Sequence, residues 1–224
     1  MFTTLAVAVA TILTANAQDL KFGAKAGLNL STLSFSDVTT EQGGYSSTEK
    51  MNTGFRPGFH IGAFAEYGFN DKWFVETGIA YSLQGAKLKS YEGTQSYAGV
   101  TRESKTNYES SYLSTQQLNI PIWVKYDISR FRPKVGVNLG FLTNVKAKIG
   151  VEGESREFSL KSKNGFDFGA GVGVEYNLPM GLFFDATFQL GFTKLSLKED
   201  AAAGVDSSLE FKNRVFQIGV GYKF

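Results

Sequence analysis

Charged side chains set between small or apolar ones carry most of the chemistry this sequence could do. Lys21, Lys25, Lys125, Lys134 and Lys223 stand against Glu66, Glu76, Glu175 and Asp185, in stretches such as KFGAKAG, FAEYG, FVETG and VKY. Such a set could shuttle protons or line an ion path. It could equally neutralise itself as an ion-pair and hydrogen-bond network held away from water. The near balance of sign favours the network. His60 is the sole histidine, and with a serine and a carboxylate it would form a hydrolytic set. No motif supplies those partners, so an interior hydrogen-bonded histidine is the expectation. The glycines of GAGVG, residues 169 to 173, lack the G-x-G-x-x-G spacing and the following helix of a dinucleotide site. With no cysteine and one histidine, thiolate and His-rich metal centres are ruled out, and no cofactor is expected.

For these charges to meet, the chain must bring alternate residues to one face, which is what a β-strand does. Period-two alternation starts at Asp19 and recurs eight times. The apolar faces are Leu20 to Leu30 on even numbers; Phe59, Ile61, Ala63, Ala65, Tyr67, Phe69; Trp73, Val75, Ile79, Tyr81; Leu118, Ile120, Ile122, Val124, Tyr126; and Val135, Val137, Leu139, Phe141. They continue with Phe166 to Tyr176, Leu182 to Phe192, and Phe216, Ile218, Val220, Tyr222, Phe224. Connections alternate too. Those near 70–72, 127–132 and 177–181 are short and rich in Asn, Asp, Pro and Gly, as tight turns require. Those at about 34–56, 86–114, 149–165 and 195–213 are long and polar, suited to solvated loops or to a recognition surface, with stretches such as 154–163 extending the strands as hairpins. An even strand number with short turns at one end and long connections at the other predicts an all-β fold, an antiparallel up-and-down transmembrane barrel of about eight strands.

A soluble ligand-binding barrel alternates as well, with its apolar side inward. The second face decides between them. It holds glycines such as Gly62, Gly78, Gly171 and Gly221 beside the large Phe64, Trp123 and Phe183, which suits a crowded interior and not a solvated exterior. The uniform apolar face is therefore expected to meet lipid. Threaded up and down, its aromatics fall in two girdles, Phe22, Tyr67, Trp73, Tyr126, Tyr176 and Tyr222 at one rim and Phe59, Tyr81, Phe166, Phe168 and Phe216 at the other. No run of about 18 apolar residues offers a membrane helix. Lys+Arg 23 against Asp+Glu 21 gives a net charge of +2 without a basic block, so nucleic acid is not an expected partner. Leu5 to Leu13 followed by Ala15-Asn16-Ala17 reads as an export signal over 1–17, without the usual basic start, ahead of one barrel domain over 18–224. The expected location is the outer membrane of a Gram-negative cell, both termini periplasmic, as a monomer in lipid with an unknown extracellular ligand.

The segments LNIPIWVKY (118–126), FDFGAGVGVEY (166–176) and VFQIGVGYKF (215–224), with KFGAKAGLNLS (21–31) behind an ANAQ site, resemble the PorT-like outer-membrane β-barrel proteins over essentially the whole chain after the signal. The resemblance implies a barrel and no particular reaction. Pro121, inside a strand, implies a bulge or a missing ladder bond. The closing residues Phe216, Ile218, Val220, Tyr222 and Phe224 are similar to the signal read by the outer-membrane barrel assembly machinery. The function expected is non-enzymatic, a scaffold for extracellular loops in surface interaction or envelope integrity. A narrow porin-like channel and a lipid hydrolase at the barrel rim are the alternatives.

Overall fold

The computed structural model describes residues 20–151, 154–198 and 208–224; the expected export signal lies outside them. Eleven strands follow one another: β1 (Leu20–Phe35), β2 (Val38–Gln42), β3 (Tyr45–Gly68), β4 (Trp73–Tyr97), β5 (Val100–Tyr126), β6 (Phe131–Val151), β7 (Glu154–Asn164), β8 (Phe166–Asn177), β9 (Leu182–Gly191), β10 (Leu195–Lys198) and β11 (Ser208–Lys223). Eight of them, β1, β3, β4, β5, β6, β8, β9 and β11, pair antiparallel into a closed ring. The ring shuts between the first and last strands over Gly23↔Lys223 to Phe35↔Phe211. Closure leaves no unpaired edge for lipid, where each unsatisfied backbone group would cost several kcal/mol. β7 and β10 prolong β8 and β9 past breaks at Gly165 and at residues 192–194, and pair with β6, with each other and with β11.

The lower part of the ring follows the alternation. Phe22, Leu28, Ile61, Ile79, Val135, Val172, Phe184 and Ile218 point outward and are exposed, while Phe64, Trp123 and Phe183 are buried inside. Girdle aromatics meet across neighbouring strands, Trp73 with Tyr126 at 4.9 Å and Phe141 with Phe166 at 5.4 Å between ring centroids. From Phe216 to Phe224 the outward face is apolar for nine residues, which at about 3.3 Å per residue and a tilt near 40° rises about 23 Å, matching an apolar band of about 25 Å. Inside, each large ring lies over a missing side chain. A Cβ on Gly23 would stand 2.3 Å from Phe64 Cζ, one on Gly221 2.2 Å from Phe183 Cζ, and one on Gly136 2.6 Å from Trp123 Cε3. The turns are built as their residues require: Asn70 Oδ1 accepts the backbone N–H groups of Lys72 and Trp73, both at 2.9 Å. Opposite Pro121 and Ile120 the β4–β5 pairing lapses between Thr77↔Ile122 and Ala80↔Asn119 with the register unchanged. The absent proline N–H accounts for that gap.

Above the upper girdle the long connections turn out to be mostly strand, which corrects the expectation of loops at 34–56 and 86–114. β3, β4 and β5 run 24, 25 and 27 residues, where about 9–11 suffice to cross a membrane. The outermost stretches, such as 91–97 and 100–109, are open to water on both faces, so they carry mainly Ser, Thr, Tyr and charge, and no apolar period announces them. The hairpin anticipated near 154–163 is formed by β6 and β7. Across this boundary the barrel also inverts. Leu33, Ala86, Leu113, Val145, Ala147, Leu195, Leu197 and Phe211 pack inward as a hydrophobic cluster, while Lys87, Lys146 and Lys212 face out.

Candidate functional site

The lumen is filled in three layers, each delivered by inward positions of several strands. At the end carrying the short turns, Lys125 Nζ donates to Glu76 Oε2 at 2.5 Å, Glu175 Oε2 at 2.6 Å and Glu66 Oε2 at 2.7 Å, using all three of its N–H bonds. Lys25 adds a bond to Glu76 Oε1 at 2.7 Å, Lys223 bonds Glu175 Oε1 at 2.6 Å and Glu66 Oε1 at 2.9 Å, and Lys134 pairs with Asp185. Arg132 and Asp127, at the turn between β5 and β6, join the cluster: Arg132 bonds Asp127 Oδ2 at 2.5 Å and Glu66 Oε1 at 3.0 Å and lies over the Phe74 ring. Five cations thus meet five carboxylates. A buried charge set of this kind is stable only when every member is paired. Oxygens of Glu66, Glu76 and Glu175 converge within 4.8 Å, a spacing that would suit a metal ion. The Lys125 ammonium already sits among them, so a metal would have to expel it.

Of the nine charges singled out in the sequence, eight come together here. Lys21 does not: it shares the inward parity and faces Glu66 in register, but it lies exposed at the mouth, outside the ion pairs. Arg132 and Asp127 escaped the sequence reading because they flank a turn, where alternation gives no side. Charge balance gave no signal for them either: without Lys21 the eight are already four cations against four carboxylates, and Arg132 with Asp127 adds one of each.

The middle layer is uncharged apart from Asp167 and is mostly amide. Asn29 Nδ2 donates to Phe59 O, Ser82 Oγ and Leu83 O at 2.9 to 3.0 Å, and its Oδ1 accepts from Gln217 Nε2 at 2.9 Å. The same oxygen lies 2.8 Å from His60 Nδ1. His60 therefore donates from Nδ1 to an amide oxygen. Neither a serine nor a carboxylate is hydrogen-bonded to the ring among the described residues, so the geometry of a hydrolytic triad is missing. Asn138 Nδ2 reaches Asn119 Oδ1 at 2.9 Å, and Gln189 Nε2 reaches Gln217 Oε1 at 2.8 Å. Small cavities lie among the described residues, one of about 30 Å³ beside Lys25, His60 and Trp123 and one of about 10 Å³ beside Gln117, Asp167 and Asn213. Each has room for about one water molecule and not for a file of them. The third layer is the hydrophobic cluster of the outer part, which caps the polar layers with Leu33, Leu113, Leu195, Leu197 and Phe211.

Outside the membrane, β2 to β5 stand above the rim as a sheet whose top row is Gln42, Tyr45, Tyr97 and Val100. Two rows down, on the same face, stand Thr40, Ser47, Gln95 and Arg102. On the opposite face Lys105 Nζ bonds Glu92 Oε1 at 2.9 Å, and this bond holds the Glu92 carboxyl below its usual range.

A closed eight-stranded ring with an outward apolar band and a packed polar lumen is the architecture of a barrel in an outer membrane. The sequence matches the model of the "Outer membrane protein beta-barrel domain" over residues 2–224. The chain belongs to that family. This outer-membrane barrel is similar in structure to neisserial surface protein A, at 16% identity and a TM-score of 0.47 over 91% of this chain and 97% of that one. It is also similar to Ail of Yersinia pestis, at 16% identity and 0.46 over 92% and 100%, and to OprG of Pseudomonas aeruginosa, at 18% identity and 0.43 over 91% and 95%. No curated protein matches the chain. Family membership places the barrel in an outer membrane, with Phe22, Ile61 and Ile218 against lipid.

Proposed function

We propose that this outer-membrane barrel is a closed, non-enzymatic scaffold that acts through the sheet it raises above the membrane. The observation that carries the reading is the length of β4 and β5, 25 and 27 residues, more than twice what a crossing needs. Strand that serves no crossing is ordered and polar, and it ends in an exposed row of Tyr45, Tyr97 and Val100 suited to contact with an extracellular ligand. The three lumen layers argue against the narrow pore, and the Asn29 partner of His60 argues against the rim hydrolase. In this reading residues 1–17 are an export signal, both termini are periplasmic, the barrel is a monomer, and the assembly machinery recognises Phe216, Ile218, Val220, Tyr222 and Phe224. LNIPIWVKY, FDFGAGVGVEY and VFQIGVGYKF support a PorT-like position within the family.

The test is amine labelling of intact cells with a membrane-impermeant reagent. Lys89 and Lys105, on the outer sheet, should be modified, and Lys25, Lys125 and Lys223 should not. Labelling of Lys105 only after the outer membrane is permeabilised would overturn the display. The same protein in planar bilayers should give no stable conductance steps; steady ion flow would restore the pore.

A further inference from the structure

Every carboxylate at the turn end of the lumen is paired with a cation, and Asp167 is not. It is 4% exposed, inside the barrel at the level of the Phe166 and Phe168 girdle, and among the described residues its side chain meets only amide groups. Gln117 Nε2 and Asn213 Nδ2 both approach its Oδ2, each at 3.5 Å. Asn213 Nδ2 is further committed to Gln84 Oε1. With the amide nitrogens so engaged, the oxygens are left over: Asp167 Oδ1, Gln117 Oε1 and Asn213 Oδ1 are buried without a hydrogen-bond partner. All three residues line the same cavity of about 10 Å³. A buried ionised carboxylate is strongly destabilising unless a positive charge or donors compensate it, and buried acceptors left without a partner are costly as well.

We propose that Asp167, Gln117 and Asn213 form a site for one small hard monovalent cation, with sodium as the probe. The donor set is oxygen only, the preference of hard cations. One carboxylate balances one positive charge, whereas a divalent ion would leave net charge in a low-dielectric interior. The cavity seats a single atom of about the size of water. Water itself has two hydrogens to give to three acceptors, while a cation attracts all three. The missing side chain of Gly191 keeps the site open, since a Cβ there would stand 2.8 Å from Asp167 Oδ1 and 3.1 Å from the backbone nitrogen of Asn213. The ion would sit directly beneath the hydrophobic cap, tying β5, β8 and β11 together.

The experiment is thermal unfolding of the full chain refolded in detergent micelles, in sodium chloride and in choline chloride at equal ionic strength. A ligand that binds only the folded state raises the unfolding temperature in proportion to the logarithm of its concentration. The midpoint should rise with sodium and stay flat with choline, and Asp167→Asn and Gly191→Ala should each abolish the difference. An equal rise in both salts, or a sodium effect that survives Asp167→Asn, would overturn the site. So would an Asp167→Asn barrel more stable than the original in both salts alike, which is the mark of a protonated, neutral Asp167. Should both variants fail to refold, sodium-23 relaxation on the unsubstituted barrel decides: excess broadening over empty micelles supports the site, and its absence rejects it.

Discussion

The barrel's membrane part and its outer part use the same strands with opposite polarity. On β11 the membrane part turns Phe216, Ile218, Val220 and Tyr222 outward and Gln217, Gly219, Gly221 and Lys223 inward. A few residues earlier the same strand turns Lys212 and Arg214 outward and buries Phe211 and Val215. Apolar side chains leave water in both parts; lipid receives them in one and the lumen in the other. Strands must therefore change sides at the outer girdle, and they do it in two ways. β11 shifts the pattern in its sequence, with Val215 and Phe216 apolar in succession. β6 keeps its apolar residues from Val135 to Ala147 on odd numbers except for Leu142, which packs against the inward cluster, and inserts Thr143 as an extra residue in its ladder with β5. The bulge sends Phe141 out to lipid and Val145 inward, 1% exposed.

Breaking the membrane part at its centre should have the largest effect. Lys125→Met leaves Glu66, Glu76 and Glu175 facing one another with the central cation gone. Removing one partner from a buried ionic group costs about 3–5 kcal/mol. The expected outcome is a large fall in the urea midpoint of the vesicle-inserted barrel, or no heat-modifiable folded band at all; a midpoint like that of the original would show that the cluster is hydrated. A smaller effect is expected on the lipid face. Ile218→Lys, within the apolar band between the girdles, should cost up to about 2–4 kcal/mol in the same titration, the figure for a lysine at the bilayer midplane. A cost near zero would mean that Ile218 does not face hydrocarbon.

Much of this contrast was legible in the residues, and the rest was hidden for definite reasons. Ring closure, the outward band and the inward Phe64, Trp123 and Phe183 follow from alternation, because one face of each membrane strand meets lipid and selection for apolar residues there is uniform. The outermost stretches of β3, β4 and β5 do not follow, since strands wet on both faces leave no period to read. The inversion on β6 was hidden as well: extending Val135, Val137, Leu139 and Phe141 by twos puts Val145 and Ala147 on the lipid side, and the adjacent apolar pair Phe141 and Leu142 hints at a change of side without telling a bulge at Thr143 from a shift of pattern. Of the nine charges named from parity, eight lie in the lumen cluster, yet parity could not tell that Lys21 lies beyond its end. The Asp167 site has no sequence signature, because Gln117, Asp167 and Asn213 come from three strands and meet only through the register of the closed ring.

The smallest effect tests where the two parts meet. Lys212 faces outward on β11 opposite Ser34 of β1, two outward positions above Phe216, and makes no ion pair among the described residues. If its outward side is in water, Lys212→Ile removes no buried partner and exchanges one exposed side chain for another, so stability should change by no more than about 0.5 kcal/mol. The measurement is the urea midpoint in vesicles, beside that of Ile218→Lys. A gain of more than about 1 kcal/mol would mean that the apolar band reaches Lys212, because burying an isoleucine in hydrocarbon is worth about 1.5–3 kcal/mol. A loss of similar size would mean that the ammonium was held by lipid phosphate at the surface. Either result would move the boundary upward, past Val215 and Phe216, and would put the bulge at Thr143 inside the membrane, where an unpaired backbone group on the lipid face is hard to sustain. A null change leaves the boundary at the level where β6 inserts its extra residue and β11 shifts its pattern.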